Sequence, residues 1–249
     1  IHDINRLAPG VQINFAGCCT QPAVRGVTTL TTGVGFENNV AIYVDGFYVP
    51  DNLSINGDLA DLAGIEILKG PQGTLWGRNA TGGAILMNTR RPSDVLTGKL
   101  EAGYARYDEI SVSGYVSGPL SDGIRASLSG YNRTSDGYYK QYDGAGNVVG
   151  NAAPIRQRTV RAKVEVDLGE NTRATIGGNY ALASDPRGVI FTVTDHASPL
   201  LPVPPARADQ PRTASGTILS VQRVKMKEGT LKLEHDAGFG NITSYTGYA

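Results

Sequence analysis

The sequence has no run of about 20 consecutive apolar residues, which is the length that a membrane-spanning helix needs. If the protein enters a membrane, it must therefore do so as a barrel of strands. Cysteine is almost absent, with a single adjacent pair, Cys18-Cys19. Neighbouring Cα atoms lie about 3.8 Å apart, closer than an ordinary disulfide allows, so the pair is either a strained disulfide or two thiols. A framework of disulfides is excluded.

A surplus of charge is absent as well, since 23 Lys and Arg residues balance 23 Asp and Glu residues among 249. A nucleic-acid partner would call for a basic surplus, so no such partner is expected. Three scattered histidines, His2, His196 and His235, show no metal-ligand spacing, and no Gly-x-Ser-x-Gly elbow is present. The sequence therefore predicts no enzyme, no catalytic residue, no metal site and no cofactor.

Glycine is abundant, with 32 residues, and many of these lie in the first third of the chain. There, short apolar runs at residues 11–15, 40–44, 65–68 and 85–87 alternate with turn residues. This pattern predicts a small α+β domain of short strands over residues 1–92. Helical pieces are expected at residues 2–7 and 58–62, and residues 93–97 are predicted to form a linker.

From residue 98 onward, apolar and polar residues alternate strictly. In the clearest segment, Val160, Ala162, Val164 and Val166 alternate with Arg161, Lys163, Glu165 and Asp167. A period of two places one face of a strand in water and the other against an apolar medium. The repeats predict about seven antiparallel strands. Because the phase changes upstream of Leu231, a β-bulge is expected near Gln222-Arg223.

The connections between these strands are unequal. Short turns at residues 118–123, 169–172 and 238–240 contrast with long connections at about 134–158 and 184–215. Ten of the 12 tyrosines follow residue 98. Short turns on one rim, long loops on the other and aromatic residues near strand ends are typical of outer-membrane barrels. A soluble β-sandwich is the alternative, but it would need bulkier residues on its apolar face.

Several motifs of the first domain carry a resemblance to a known family. They include Val24-Arg25-Gly26-Val27, Val44-Asp45-Gly46, the long run Ile65-Glu66-Ile67-Leu68-Lys69-Gly70-Pro71-Gln72-Gly73-Thr74-Leu75-Trp76-Gly77-Arg78-Asn79-Ala80-Thr81-Gly82-Gly83-Ala84-Ile85, and Thr89-Arg90-Arg91-Pro92. Together they resemble the plug of TonB-dependent receptors over residues 1–92, and the later strands resemble the start of that family's barrel. A nucleotide-binding loop is excluded because no Gly-Lys-Ser/Thr ending is present.

The resemblance implies a mainly β protein: a plug at residues 1–92 without its N-terminal part, and a transmembrane barrel that begins at residues 98–249. Such barrels have about 22 strands, so this one is incomplete here. The implied function is TonB-dependent transport of a scarce nutrient, above all a ferric siderophore or similar iron complex, across the bacterial outer membrane. The implied partners are TonB, bound through a segment that precedes residue 1, outer-membrane lipid and a small-molecule ligand.

Other functions stay open at this stage. The same architecture takes up sugars, cobalamin and aromatic compounds, and the sequence does not distinguish among these cargoes. A passive outer-membrane channel or adhesin is a further alternative, although it would not need the long motif of residues 65–85. A soluble β-rich binding protein is a third.

The resemblance also assigns roles to individual residues. In the family, a basic residue of the Arg-Gly pair and another before Gly-Pro lock the plug to carboxylates of the barrel; these positions are Arg25 and Lys69. Lysine at the second position departs from the usual arginine and loses the two-pronged contact with a carboxylate. Ligand contacts are expected on plug apices and long barrel loops, at Phe36, Phe47, Tyr48, Asn52, Tyr138, Tyr139 and Arg187.

Overall fold

The computed structural model describes residues 8–16, 19–29, 37–49, 60–137, 139–142, 148–152, 154–185, 213–215 and 222–249. Strands dominate this part of the chain, as predicted. The expected helical piece at residues 2–7 and Cys18 lie outside it. No helix within the described ranges has the length and apolarity that crossing a membrane demands.

The first domain contains a hairpin and a small mixed sheet. Strands β1 (Val11–Ala16) and β2 (Cys19–Val24) pair antiparallel. The sheet has the order β4-β3-β6-β5. Its strands are β3 (Val40–Val44), β4 (Phe47–Tyr48), β5 (Leu62–Lys69) and β6 (Gly83–Thr89), and a short helix α1 (Gly73–Trp76) lies between β5 and β6. The four predicted strands of this domain are confirmed.

The predicted helical piece at residues 58–62 is wrong in its described part. Ala60 and Asp61 form a turn, and Leu62 begins β5 opposite Thr89 of β6. The Asp61 carbonyl accepts a hydrogen bond from the Arg90 amide at 2.7 Å. Pairing with β6 therefore satisfies this backbone, and the short polar segment has no helical partner to pack against.

The core of the first domain is small. Its main cluster contains the buried residues Val11, Ile13, Val24, Val40, Ile42, Ile85 and Met87. A second cluster, on the opposite face of the sheet, contains Ala41, Ala80 and Ala84, with Tyr43 and Trp76 packed against it. Modest apolar burial of this kind leaves a domain dependent on its surroundings for stability.

The second part is one seven-stranded sheet in which each strand pairs antiparallel with the next. Its strands are β7 (Thr97–Ala105), β8 (Glu109–Ser121), β9 (Ile124–Ser135), β12 (Ile155–Asp167), β13 (Thr172–Asp185), β15 (Gln222–Asp236) and β16 (Asn241–Tyr248). The predicted number of strands is confirmed, and the first begins at Thr97, inside the predicted linker.

A further small sheet lies within the long connections. Strand β10 (Tyr139–Tyr142) pairs antiparallel with β11 (Val148–Ala152) and parallel with β14 (Thr213–Ser215). The two long connections therefore meet on the same rim of the large sheet. Among the described connections, the opposite rim carries three short turns, and the connection between β7 and β8 is the one short turn on the rim of the long connections.

The two faces of the large sheet differ as predicted. Val160 and Ile176 are 43% and 55% exposed on the outer face, whereas Arg161 and Glu165 are 7% and 2% exposed on the face that contacts the first domain. Because charged residues are buried against the plug and apolar residues face outward, the sheet has the polarity of a barrel wall rather than that of a sandwich.

The predicted bulge near Gln222-Arg223 is wrong. Pairing between β13 and β15 runs without a break from Asp185↔Gln222 to Thr172↔His235. Val224 lies on the same face as Lys232, which is the face toward the plug. Along β15, the outer face changes from basic residues at its start to apolar residues near Leu231. In the sequence, this change of composition looks like a shift in the alternation, although the pairing register is continuous.

Candidate functional site

A two-residue turn brings the plug into contact with the barrel wall. Val44 and Phe47 pair across the β3–β4 hairpin, and the turn residues Asp45 and Gly46 have φ of 52° and 88°. Positive φ at both positions is the geometry of the tight hairpin turn for which an Asp-Gly pair is favoured. The turn directs the Asp45 carboxylate toward β12.

The Asp45 carboxylate is held by both domains. Its Oδ2 atom lies 2.7 Å from Lys163 Nζ and 3.3 Å from Arg161 Nη1, both on β12. From the plug, Thr89 donates its backbone N–H to Oδ1 and its hydroxyl to Oδ2, each at 2.8 Å. Because the cationic side chains are almost fully buried here, loss of the carboxylate would leave them without their counter-charge.

The surroundings shift the pKa of Asp45. Burial alone raises the pKa of this carboxyl, but the charge of Lys163 and hydrogen bonds from Lys163 and Thr89 outweigh burial, so the pKa lies below its ordinary value. Asp45 is therefore ionised in the docked state.

A second contact joins the end of the plug to two wall strands. Arg91 Nε donates to Glu165 Oε2 at 2.9 Å, and Arg91 Nη2 lies 2.9 Å from Glu234 Oε2. Glu165 is on β12 and Glu234 is on β15, so one guanidinium spans the wall across β13. The planar fork of arginine suits this double role, whereas a lysine would supply a single point charge.

The carboxylates that receive Arg91 belong to a larger group of wall charges. Arg125 Nη1 lies 3.2 Å from Glu165 Oε1, and Arg125 Nη2 lies 2.6 Å from Asp167 Oδ2. Arg173 Nε lies 2.7 Å from Asp167 Oδ1, and Lys232 Nζ lies 2.9 Å from Glu234 Oε1. These pairs hold the wall carboxylates, among them the two that Arg91 contacts, in a shared network of charges.

Aromatic rings complete the contact. The Phe47 and Tyr245 rings meet almost edge to face, with centroids 5.5 Å apart and an interplanar angle of 84°. A Cβ atom on Gly46 would lie 2.6 Å from Tyr245 Cε1, and one on Gly247 would lie 3.0 Å from Phe47 Cδ1. Glycine at both positions therefore allows the hairpin to approach β16 this closely.

A cavity of about 340 Å³ lies between the hairpin and the wall. Its lining includes Tyr43, Trp76, Glu165, Thr175 and Tyr245. The charged groups of Asp45, Arg91 and Lys163 also border this space. No group of three His, Cys, Asp or Glu suited to a metal ion occurs in the described ranges.

The predicted lock residues lie elsewhere in the plug. Arg25 has an exposed side chain and a φ of 51°, and its amide donates to the Gly10 carbonyl at 2.7 Å. Lys69 Nζ donates to the Pro9 carbonyl at 2.7 Å. Within the described part of the chain neither pairs with a carboxylate. Their role in locking the plug stays a prediction.

Of the predicted ligand contacts, two are described with their side chains. Phe47 contacts the wall, and Tyr48 accepts a hydrogen bond from Asn79 Nδ2 at 2.9 Å while its ring lies 5.5 Å from that of Tyr43. Tyr139 begins β10, and only its backbone is described. The remaining four lie outside the described residues: Phe36, Asn52, Tyr138 and Arg187. All seven roles stay predictions.

Sequence reasoning missed the contacts of Asp45 and Arg91 with the wall. A signal was available, because the alternation placed Arg161, Lys163 and Glu165 on the face toward a filled pore. Charges on such a face need partners, which come in part from neighbouring wall strands and in part from the plug. Sequence spacing does not show which charged residues of the plug meet the wall, so Asp45 and Arg91 could not be identified in advance.

Comparisons with known proteins agree with this architecture. Residues 1–84 match the family described as TonB-dependent Receptor Plug Domain. The chain is 36% identical to the pesticin receptor of Yersinia pestis over 123 residues, which cover 48% of this chain and 18% of that protein. It is 24% identical over 204 residues to the probable TonB-dependent siderophore receptor PiuA of Acinetobacter baumannii, covering 81% of this chain and 26% of that protein.

Among solved structures, the ferric yersiniabactin uptake receptor FyuA of Yersinia pestis superposes with a TM-score of 0.79 at 20% identity. The match covers 95% of this chain and 35% of that receptor. This likeness establishes the common fold. The chain spans roughly a fifth to a quarter of the length of the two curated relatives named above.

Proposed function

We propose that the whole protein is a TonB-dependent receptor that imports an iron complex, most simply a ferric siderophore, because residues 1–84 match the plug of that family and the seven strands that follow have the order of a barrel wall. One of the relatives compared above is named a probable siderophore receptor and another a ferric yersiniabactin uptake receptor, which supports an iron complex as the cargo. The proposal includes no catalytic step.

The observation that carries the proposal is the seating of the plug on the wall. Asp45 pairs with a basic residue of β12, and Arg91 pairs with an acidic residue of β15. The plug therefore closes the lumen through non-covalent contacts, which can separate when the plug is released. Ion pairs next to a cavity suit a plug that must move and return. A permanent closure would bury more apolar surface instead.

The proposed cycle follows from this arrangement. Plug apices and extracellular loops capture the ligand, with the seven residues named in the sequence analysis as candidate contacts. TonB, energised across the inner membrane, then pulls on the segment that precedes the plug. The force separates the plug charges from the wall, the plug rearranges, and the ligand passes.

Uptake of radioactive iron tests the proposal. A strain that lacks this receptor, supplied with single ferric siderophores under iron limitation, is expected to lose uptake of at least one of them, and the full-length gene is expected to restore it. Restoration must fail in a strain without TonB. Uptake that persists without TonB would instead favour the passive channel, and uptake of every iron complex without the receptor would refute the iron cargo.

The lock role of Arg25 and Lys69 forms part of the proposal. Both would pair with carboxylates on barrel strands beyond residue 249. Replacing Arg25 by Ala is expected to loosen the plug and to raise the permeability of the outer membrane to large antibiotics, measured as a lower inhibitory concentration. Arg106→Ala, in the exposed turn between β7 and β8, serves as the control. Equal permeability of both variants would remove Arg25 from the lock.

A further inference from the structure

Four basic side chains lie on the outer face of the sheet, which is the face that Val160 and Leu231 share. We call Arg158, Arg223, Lys225 and Lys227 the outer basic patch. All four are exposed. Arg158 lies near the start of β12 and the other three near the start of β15, so the patch is at the rim that carries the long connections.

The strand register brings these residues together. Arg158 lies opposite Leu182 of β13, which lies opposite Lys225 of β15. In the next row of the same face, Tyr180 lies opposite Lys227. Because neighbouring strands are about 4.8 Å apart, Arg158 and Lys225 are separated by about 10 Å at the backbone. Their long side chains can reach one multivalent anion.

The outer basic patch has no counter-charge among the residues that the structure describes. Within the described residues, none of its members forms an ion pair, and Arg158 only donates from Nε to Asn132 Oδ1 at 3.3 Å. The neighbouring Arg156, by contrast, pairs with Asp136 at 3.0 Å. Glu228 lies on the opposite face of β15, where Asn179 donates to it. Four cations that form no ion pair with the described part of the chain are therefore available to an external anion.

An apolar groove lies directly beside Arg158 on the same face. It has a volume of about 580 Å³, and Gly114 and Gly130, which lie opposite each other, leave its floor without side chains. Leu100, Val112 and Leu128 form its sides. Arg158 and Asn132 close the end toward the rim, so the groove runs from the basic patch into the apolar band.

From this juxtaposition we propose that the outer face binds a phosphate-bearing lipid of the outer leaflet. Its headgroup phosphates contact the outer basic patch, and an acyl chain lies in the groove over Gly114 and Gly130. The long-loop rim of such barrels faces the cell exterior, which places the patch at the headgroup level of that leaflet. The inference rests on the proposed outer-membrane barrel, but not on its cargo.

The two halves of the site explain why the occupant is a lipid rather than a free anion. Basic residues at a membrane surface attract anionic headgroups, with a gain of about fivefold in binding per residue. An apolar chain gains from burial in the groove. Inorganic phosphate could use only the first half, and an uncharged lipid only the second.

Lipid A binding to the purified full-length receptor in detergent, measured by native mass spectrometry, tests the proposal. Replacing Arg158, Lys225 and Lys227 together by Gln is expected to weaken binding by at least about tenfold. Gly130→Leu is expected to weaken it separately by filling the groove. A Cβ atom on Gly130 would meet only the Thr159 carbonyl, at 3.9 Å, so the backbone tolerates this change.

The control variant is Arg106→Gln with Lys140→Gln, which removes two exposed charges outside the patch. It is expected to bind lipid A as the wild type does.

Fully dephosphorylated lipid A should bind the wild type and the triple variant equally weakly, and inorganic phosphate should not saturate the receptor. Equal lipid A affinity of the triple and control variants would overturn the proposal, as would saturation by phosphate alone. Receptors that bind lipid as expected but fail to import iron would contradict the proposed cargo only.

Discussion

Asp45 joins the plug to the wall through one carboxylate that pairs with two basic side chains of β12. It is the only plug carboxylate, among the described residues, that pairs with cations of the wall. A carboxylate in this position compensates two buried positive charges at once. Its neighbours Thr89 and Lys163 hold it in one orientation, so an amide of the same shape would keep the packing and lose the charge.

Asp45→Asn is therefore expected to weaken the docking of the plug by roughly 3 kcal/mol, because removal of one partner leaves buried charges unpaired. The measurement is the temperature at which the plug of the full-length receptor becomes sensitive to protease. Asp122→Asn, at the exposed turn between β8 and β9, is the matched control. Equal temperatures for the two variants would show that the Asp45 contact contributes nothing.

The same residue predicts a dependence on pH. The pKa of Asp45 is depressed in the docked state, so its contribution is complete above the ordinary carboxyl pKa of about 3.9 and is lost as the pH falls through the lower docked value. The difference in midpoint temperature between the wild type and Asp45→Asn should stay constant from pH 7 to about pH 5 and shrink below about pH 4. A difference that is still undiminished at pH 3 would contradict this assignment.

At the scale of elements, the β3–β4 hairpin couples the plug to β16 by its shape. Gly46 and Gly26 have nearly equal positive φ, 88° and 83°, but only Gly46 faces another side chain. A Cβ atom on Gly26 would meet nothing within 4 Å, whereas one on Gly46 would collide with Tyr245. Alanine substitutions at Gly26 and Gly46 therefore distinguish the cost of backbone strain, which both share, from the cost of steric contact, which only Gly46 has.

Both Gly26→Ala and Gly46→Ala should lose about 1 kcal/mol to strain. Gly46→Ala should in addition displace the Tyr245 ring from Phe47 and lose about 0.5–1.5 kcal/mol of ring contact. Differential scanning of the full-length receptor is expected to rank the midpoints as wild type, Gly26→Ala and Gly46→Ala, from high to low. The reverse order of the two variants would exclude a close contact at β16.

Strands were the most predictable elements, because a strand with one buried face shows apolar and polar residues in alternation. Residues 160–167 gave both the strand and its polarity, and the burial of Arg161 against the exposure of Val160 follows from that pattern. The supposed bulge near Gln222 shows the limit. There the outer face itself changes from apolar to basic, and a sequence pattern cannot distinguish that change from a slip of register.

The site was less predictable than the strands. Arg25 and Lys69 were predicted from their match to family motifs, and their described hydrogen bonds go to backbone carbonyls of the plug itself. The contacts that the structure does contain join residues far apart in sequence, such as Arg91 and Glu234. Such pairs depend on how deeply the plug enters the lumen, and local spacing carries no information about depth.

At the scale of the whole molecule, two bodies that are each incomplete pack against one another. The plug has a small core, and the seven strands form an open sheet that cannot close alone. Each therefore relies on the other and on the rest of the barrel. Charges on the inner face of the sheet pair with the plug, and exposed apolar residues such as Val160 and Ile176 cover the outer face, so the same strands build both faces.

This division of faces is the central claim, and spin labelling of the full-length receptor in lipid vesicles tests it most directly. With Cys18 and Cys19 changed to Ser, nitroxides at positions 160, 164 and 176 should relax faster with lipid-soluble oxygen than with a water-soluble nickel chelate. Nitroxides at positions 159 and 175, on the inner face, should show no preference for oxygen. Oxygen preference at positions 159 and 175, together with protection from oxygen at 160, 164 and 176, would contradict the account.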